Sequence, residues 1–338
     1  MVQPGNLTAK MKNSAIILTV LFMALSCGGR KANTATAPAT VESPQFSADS
    51  AYNYIKAQTD FGPRVPNTQA HDDCGIWLGA KLSSFGADKV YFQNFNAKTF
   101  DGNTLKCTNI IGSFNADQPT RIILCSHWDS RPWADNDPDP SNWMKPVDAA
   151  NDGASGVGVI LEIARLMQKQ TPEIGVDCIF LDAEDWGPGD NYQGQHLETY
   201  WGLGTQYWAK HPHIEGYRAR YAILLDMVGG KGAAFCREGY SIMYGKHIVD
   251  KVWSAAGKLG YGSIFLPVNG SYVTDDHYFI NTMAKIPAID IVPYLPNCTQ
   301  SSFGPTWHTI SDNIDNIDKN VLEAVGKTLL EIIYNEKP

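Results

Sequence analysis

The chain has 338 residues, of which 43% are hydrophobic and 18% charged, a composition typical of a globular protein. Its length suits one large α/β domain or two small ones. The formal net charge of −8 argues against a basic nucleic-acid-binding surface, so we expect no nucleic acid among its partners.

The chain begins with a predicted targeting segment. Lys10 and Lys12 precede a short apolar run at residues 15–25, and a Ser-Cys-Gly-Gly sequence around Cys27 follows it. A positive flank, a short apolar run and small residues are typical of a secretory signal, and the run is too short for a comfortable membrane span. We therefore predict a lipoprotein-type signal over residues 1–27, with a lipid anchor on Cys27. This implies an exported, periplasmic or cell-envelope protein of a bacterium, and a plain cleaved signal is the alternative.

The next segment is predicted to be a flexible tether. Residues 28–44 are rich in Ala, Thr and Pro and lack apolar periodicity. Beyond it, residues 45–338 contain no internal repeat and no linker long enough to divide domains. We therefore expect a single folded domain over residues 45–338.

Cysteine usage predicts no thiol chemistry. Six of the seven Cys residues remain after Cys27, and an exported protein permits disulfides between them. Cys107, Cys125 and Cys178 lie in apolar, strand-like runs, so we expect buried free thiols at these positions.

Helical and strand patterns alternate along this domain. Helical segments are predicted at residues 50–57, 68–85, 153–168, 247–259 and 319–334. Strands are predicted at residues 90–95, 105–113, 121–126, 176–181, 220–225 and 286–292. Unbroken apolar centres are typical of strands buried on both faces, and their alternation with helices predicts an α/β fold with a mostly parallel sheet.

Two long loops interrupt the pattern. The loop at residues 131–151 contains Asp135, Asp137 and Asp139 but lacks EF-hand spacing, so we interpret it as a solvated surface loop rather than a calcium site. The loop at residues 186–203 is rich in Gly, Tyr and Trp, and the Gly-Leu-Gly sequence at its end lacks the strand-helix context of phosphate binding.

Metal-type side chains stand where predicted strands end or loops begin. Ligands of such sheets gather at the carboxyl ends of the strands, so one edge of the sheet would bring these side chains together. Imidazole and carboxylate ligands suit zinc, and a catalytic zinc site keeps one position open. The candidate residues are His127, Asp152, Asp185, Asp226 and His308.

Glu184 and Asp185 form a second feature. With Asp182 they place three carboxylates in one turn, which repel one another unless a cation or shared protons relieve them. One carboxylate can bind metal while its neighbour moves protons, a chemistry suited to hydrolysis or acyl transfer at an amide. A surface acidic turn is the alternative.

Each candidate also has a structural interpretation. Asp152 precedes a predicted helix and could cap it, which does not exclude metal binding. His127 and His308 could be structural residues, and Asp129 is either a partner that orients His127 or an exposed side chain.

Asp226 ends a buried strand and needs a partner there. The partner is either metal or another acid that shares a proton, and Asp275 is the acid we prefer. A helix cap is the alternative for Asp275. Trp307 could wall an apolar pocket for a substrate side chain.

Together, these motifs resemble the zinc-dependent M28 aminopeptidase superfamily. The shared blocks are Phe-Gly-Pro-Arg-Val-Pro from Phe61, His-Trp-Asp from His127, Asn-Asp-Gly-Ala-Ser-Gly around Asp152, Glu184-Asp185, Asp226-Met and His308. Within it the chain most resembles the glutaminyl cyclases, through Ser-His-Trp-Asp-Ser-Arg, Asp275-Asp276-His277, Trp307-His308-Thr309 and the Asp-rich segment 312–318. The resemblance runs from about Phe61 to Asp318.

The resemblance implies a three-layer α/β/α sandwich with a mixed, mostly parallel central sheet. It implies one catalytic zinc on Asp152, Asp185 and His308. Glu184 would be the proton-transferring acid/base.

Two neighbouring carboxylates would support Glu184. The resemblance assigns Asp226 and Asp275 to hydrogen bonding around Glu184. In dizinc aminopeptidases, His127 and Asp226 are ligands of a second metal.

Two positions depart from the animal cyclases. The animal cyclases have Glu where this chain has Asp185, and they have a His in the strand where this chain has Asp290. A shorter carboxylate can still reach zinc, and Asp290 can still accept a hydrogen bond.

The implied activity is cyclisation of N-terminal glutamine of peptides or proteins to pyroglutamate, with release of ammonia. Trp307 and Trp201 would line the glutamine pocket. The first alternative is a dizinc aminopeptidase that cuts the first peptide bond, which two tightly bound zinc ions would favour. The second is a lipid-tethered binding protein on a relic enzyme fold. That hypothesis predicts lost ligands or a lost acid/base, and the sequence lacks neither.

Overall fold

The computed structural model describes residues 42–189 and 192–338. The predicted signal at residues 1–27 and most of the predicted tether at residues 28–44 lie outside the described residues. Within the described ranges, no helix is both long and apolar enough to cross a bilayer.

Helices and strands alternate as the sequence predicts. The helices of the described chain are α1 (Ala48–Thr59), α2 (Gln69–Ser84), α3 (Ala154–Lys169), α4 (Leu203–Lys210), α5 (Gly239–Lys258), α6 (Asp276–Phe279) and α7 (Lys319–Asn335). The strands are β1 (Lys89–Lys98), β2 (Thr104–Phe114), β3 (Arg121–His127), β4 (Gly175–Leu181), β5 (Ala222–Leu225), β6 (Phe235–Arg237), β7 (Phe265–Asn269) and β8 (Ala288–Ile291).

The differences from prediction lie in short or irregular elements. The sequence did not predict α4, β6, β7 and α6, because elements this short contain too few residues to show a period. Helix α5 begins eight residues before the predicted start at residue 247, and Gly245 inside it has a non-helical φ of −136°. This irregular residue breaks the apolar period that would have revealed the first turns.

The central sheet has six strands in the order β1-β2-β4-β3-β5-β8. β1 pairs antiparallel with β2 and β2 with β4, whereas β4, β3, β5 and β8 run parallel. The sheet is therefore mixed and mostly parallel, as the resemblance implies. A separate pair, β6 and β7, is also parallel.

Helices cover both faces of this sheet. Successive strand residues point to opposite faces, so Ile122 and Leu124 of β3 join one core while Ile123 and Cys125 join the other. The larger core packs the sheet against α1, α2, α3, α5 and α7, and the smaller core involves α4. Burying one such side chain contributes about 1.5–3 kcal/mol. The predicted three-layer α/β/α sandwich is confirmed.

The cysteines behave as predicted. Cys107, Cys125 and Cys178 are buried free thiols. Burial raises the pKa of the Cys125 thiol well above its usual range, which keeps it protonated and unreactive.

The loop at residues 131–151 departs from expectation. It is not solvated throughout, because Asp137 is only 6% exposed and accepts hydrogen bonds from the N–H groups of Asp139 and Ile310. Arg131 is also buried. The bond from Ile310 to Asp137 ties this loop to the chain around His308.

Candidate metal centre and active site

The parallel strands bring the predicted polar residues to one edge. His127 ends β3 and pairs in register with Leu181 at the end of β4, so the turn at residues 182–185 begins beside it. β5 pairs with β3 on the other side, and Asp226 follows its last residue. The predicted convergence at the carboxyl ends is therefore confirmed.

Three side chains form a first cluster. His308 Nε2 lies 3.2 Å from Asp185 Oδ1 and 3.7 Å from Asp152 Oδ2. All three residues are buried, and their ligand atoms lie within 4.8 Å of one another. This is the set that the resemblance implies for zinc.

A second cluster shares Asp152 with the first. His127 Nε2 lies 3.0 Å from Asp152 Oδ1 and 3.2 Å from Asp226 Oδ1. The two oxygens of Asp152 thus face different imidazoles, as a carboxylate between two cation sites would. Its alternative role as a helix cap is not observed, since Gly153 occupies the N-cap of α3 without a side-chain cap bond.

The donor set fits a bound cation. Asp185 Oδ2 is buried and has no hydrogen-bond partner among the described residues. Burial raises the pKa of Asp152 to about 6, and the charge of Asp185 adds to this rise. Carboxylates with an orphaned oxygen beside two imidazoles form a chemically suitable site for zinc.

Buried carboxylates hold the backbone of this edge. Asp129 accepts from the N–H of Glu184 at 3.1 Å and of Asp185 at 3.2 Å. Its Oδ1 also lies 3.5 Å from His127 Nδ1, in position to orient that ring. The alternative of an exposed Asp129 is wrong because the side chain is fully buried.

Asp312 holds the backbone of the loop that carries Asp152. It accepts from the N–H of Asn151 at 2.8 Å and of Asp152 at 2.9 Å. The sequence analysis named Asp312 only as part of a motif. Its hydrogen bond to the backbone of Asp152 depends on the fold, because the two residues are 160 positions apart in the chain.

Arg131 and Asp135 support two of the candidate ligands, and the sequence analysis missed both. Arg131 Nη1 donates to Asp185 Oδ1 at 3.1 Å, and Nη2 donates to Asp135 at 2.6 Å. Asp135 Oδ1 lies 3.4 Å from His308 Nδ1. Arg131 is the last residue of the Ser-His-Trp-Asp-Ser-Arg motif, and its place there was the one indication in the sequence that this pair belongs to the site.

Strained backbone borders the site. Four non-glycine residues in or near the site have φ in the left-handed region, at a cost of about 1–3 kcal/mol each. They are Ala149 (φ 53°), Ala183 (φ 52°), Met227 (φ 50°) and His308 (φ 55°).

Glu184 lies at the edge of this centre. Burial raises its pKa well above the usual range, Asp275 and Asp185 add to the rise, and His127 opposes it. A buried carboxyl with a raised pKa beside a cavity is a candidate for acid/base catalysis. The alternative of a surface acidic turn is wrong, since Glu184 is buried.

Asp275 lies between two other acids. Burial raises its pKa to about 7, and the charge of Asp226 adds to this rise. It also caps α6 by accepting from the N–H of Asp276, so the helix cap considered as its alternative role is observed. Asp290 faces it from β8, and burial raises the pKa of Asp290 well above its usual range. The sequence analysis named Asp290 only as a difference from the animal cyclases.

A cavity of about 260 Å³ opens onto this centre. It is lined by Asp152, Glu184, Asp185, Trp201, Asp226, Met227, Tyr272, Val273, Thr274, Asp275, Phe303, Trp307 and His308. Trp307 stacks on His308, with ring centroids 3.6 Å apart, and Trp201 lies nearly parallel to the same imidazole at 6.3 Å. Both tryptophans predicted for the pocket therefore line it.

Comparisons with known proteins agree with this geometry. The model of Peptidase family M28 matches residues 109–333. The glutaminyl-peptide cyclotransferase of Gloydius blomhoffii is 24% identical over 251 residues, which cover 66% of this chain and 63% of the relative. The match therefore spans less than two thirds of that relative's length.

Solved structures are more similar. A crystal structure of Bacteroides thetaiotaomicron glutaminyl cyclase bound to N-acetylhistamine has 56% identity and a TM-score of 0.85, covering 88% of this chain and all of that one. A leucine aminopeptidase precursor from the same organism has 56% identity, a TM-score of 0.84 and the same coverage. The chain belongs to peptidase family M28 and, within it, to the group that contains the bacterial glutaminyl cyclases.

Proposed function

We propose that this chain is a zinc-dependent glutaminyl-peptide cyclotransferase, which converts N-terminal glutamine of peptides or proteins to pyroglutamate and releases ammonia. The observation that carries the proposal is Glu184, a buried carboxyl with a raised pKa that lines a cavity of about 260 Å³. Its position beside the candidate metal cluster suits acid/base chemistry at a bound amide. The similarity to bacterial glutaminyl cyclases supports the same assignment.

We assign one zinc ion to Asp152, Asp185 and His308. Bound there, it would supply Lewis-acid polarisation of the side-chain amide of the substrate glutamine. Arg131 and Asp135 fix the orientation of Asp185 and His308, and Asp312 fixes the backbone of Asp152. Preorganised ligands of this kind lower the cost of holding the ion in one geometry.

Glu184 carries the proton in the reaction. The uncharged α-amine of the glutamine attacks its own side-chain carbonyl carbon, and the new C–N bond closes a five-membered ring. Glu184 accepts a proton from the attacking nitrogen and donates it to the departing nitrogen, which leaves as ammonia when the old C–N bond breaks. Because both groups belong to one residue, the step is intramolecular and benefits from proximity.

Asp226 and Asp275 assist Glu184. With a pKa of about 7, Asp275 holds a proton part of the time and relieves repulsion among the three carboxyls. Trp201 and Trp307 would hold the glutamine side chain, and their rings also shield the site from water.

The domain organisation and cellular location of the chain are also proposals. We assign residues 1–27 to a lipoprotein signal, residues 28–44 to a tether and residues 45–338 to one catalytic domain. The small residues and positive flank around the apolar run support a lipid anchor on Cys27 and a periplasmic or cell-envelope location.

A dizinc aminopeptidase is the second candidate. The cluster of His127, Asp152 and Asp226 favours it, since it provides a second set of ligands next to the first. The similarity to a leucine aminopeptidase precursor points the same way. In that enzyme two metals would activate water, which would cut the first peptide bond.

The deciding experiment uses the purified full-length chain loaded with zinc. An N-terminal Gln peptide and an N-terminal Leu peptide are offered, and the product masses are followed. Loss of ammonia from the Gln peptide, with the Leu peptide intact, is the expected result. Release of free Leu with no change of the Gln peptide would overturn the cyclase proposal and assign the chain to the aminopeptidases.

A further inference from the structure

The active-site cavity is small compared with a peptide. At about 260 Å³ it falls below the range of about 300–1,000 Å³ found for drug-sized ligands. On the proposed function, which this inference rests on, the substrate's first residue fills the cavity. The second residue of the peptide would then lie outside the cavity, at its mouth.

Tyr272 lies at this mouth. Its side chain is 60% exposed, yet it lines the cavity together with Val273 and Thr274. A large aromatic side chain exposed to this extent beside a catalytic cavity offers an unused apolar surface. The following residue in the cavity wall, Asp275, belongs to the acid/base group.

The Tyr272 ring is held firmly in spite of its exposure. It lies directly on Gly239, where a Cβ atom would come within 2.6 Å of the ring. Tyr240 packs edge-on against it, with ring centroids 4.9 Å apart and an interplanar angle of 70°. Little conformational freedom therefore remains to be lost when a ligand binds.

The backbone beside the ring is fixed as well. Glu238 accepts from the N–H of Val273 at 3.0 Å and of Tyr240 at 2.8 Å. The N–H of Gly239 donates to the carbonyl of Ser271 at 2.9 Å. These bonds join the segment carrying Tyr272 to the start of α5, so the ring keeps one orientation relative to the cavity.

Another segment contributes an aromatic wall. Phe303 lines the same cavity and packs against Trp307, with ring centroids 5.1 Å apart. A peptide that leaves the cavity thus meets aromatic side chains from two separate parts of the chain. Such a mouth favours an aromatic side chain, because aromatic rings gain from offset or edge-to-face contacts beyond area burial.

We propose that Tyr272 determines specificity at the second residue of the substrate, favouring peptides with an aromatic side chain after the N-terminal glutamine. The aromatic ring of the substrate's second residue packs against the exposed face of Tyr272. No change in the chemistry at Glu184 is involved.

The test compares two substrates, the amides of Gln-Phe-Ala and Gln-Gly-Ala, on the zinc-loaded full chain. Wild-type protein is expected to prefer Gln-Phe-Ala by about 3- to 10-fold in kcat/KM. Tyr272→Ala should lower this ratio to about 1, whereas Tyr272→Phe should keep the preference.

The matched control is Tyr244→Ala. Tyr244 is 40% exposed on the same face of α5 as Tyr240, but it does not line the cavity. This variant should retain the wild-type ratio. The proposal is overturned if wild-type protein does not discriminate, if Tyr272→Ala keeps the ratio, or if Tyr244→Ala loses it equally. Failure of wild-type protein to cyclise either substrate would instead overturn the proposed function.

Discussion

His71 and Asp182 form a buried pair in which His71 Nε2 lies 2.9 Å from Asp182 Oδ1. Asp182 also accepts from the N–H of Thr108 and, at 2.7 Å, from the N–H of Ala183. Ala183 begins the turn that carries Glu184 and has a left-handed φ of 52°. A histidine on α2 thus helps to hold the turn on which the proposed chemistry depends.

Replacing His71 should weaken this turn. We expect His71→Phe to lower the free energy of unfolding by about 1–3 kcal/mol, because Asp182 is left buried without its partner. We expect kcat to fall by about 10- to 100-fold, since small displacements of catalytic groups are costly. His71→Gln, whose amide can donate to Asp182, should recover part of both losses.

Urea denaturation measures the stability change, and steady-state kinetics at a temperature where all variants are folded measures kcat and KM. KM should change little, because His71 does not line the cavity. A His71→Phe enzyme with wild-type kcat would show that the pair has no effect on the turn.

Glu184→Gln should separate chemistry from metal binding. The amide cannot carry the proton, so kcat for an N-terminal Gln peptide should fall by about 10²- to 10⁴-fold. Zinc content, measured by atomic absorption, should not change, because Glu184 is not one of the proposed ligands. Glu198→Gln, a half-exposed carboxylate on the neighbouring loop, serves as the control and should keep wild-type activity. Equal activity of the two variants would remove Glu184 from the mechanism.

Zinc stoichiometry tests the assignment of ligands. We expect one tightly bound zinc per wild-type chain, almost none in His308→Ala, and one in His127→Ala. Removal of zinc by a chelator should abolish cyclisation, and zinc should restore it. Two zinc ions in wild-type protein and one in His127→Ala would contradict the one-zinc proposal and favour the dizinc aminopeptidase.

Glu238 should make the free energy of unfolding depend on pH. Burial alone would raise its pKa, but hydrogen bonds and charge from His277, with donors from Ser241, outweigh burial and lower it from 4.5 to about 2. Because the folded-state pKa lies below the unfolded value, the unfolded chain binds more protons between these two values. The contribution of about 3 kcal/mol is therefore complete above pH 4.5 and is lost as the pH falls towards 2.

Urea denaturation at several pH values between 7 and 3 measures this effect. Glu238→Gln should be less stable than wild-type protein at pH 7, and the difference should shrink as the pH falls. Glu173→Gln removes an exposed carboxylate and should follow the wild-type curve. A difference between Glu238→Gln and wild-type protein that stays constant with pH would contradict the lowered pKa.

Much of the fold and site could be predicted because both depend on local pattern. Continuous apolar runs such as β3 and β4 are consistent with strands buried on both faces, and intervening helical periods predict crossovers. Polar residues that directly follow parallel strands must meet at one edge, so His127 and Asp226 could be assigned to a common site from sequence.

Contacts between distant parts of the chain were decided only by the tertiary structure. His71 and Asp182 are 111 positions apart, and Asp135 reaches His308 from a loop that the sequence suggested was solvated. An acidic residue looks the same in sequence whether it is hydrated or buried against a donor. Its pKa and role follow from desolvation and from its partners, which exist only once the chain has packed.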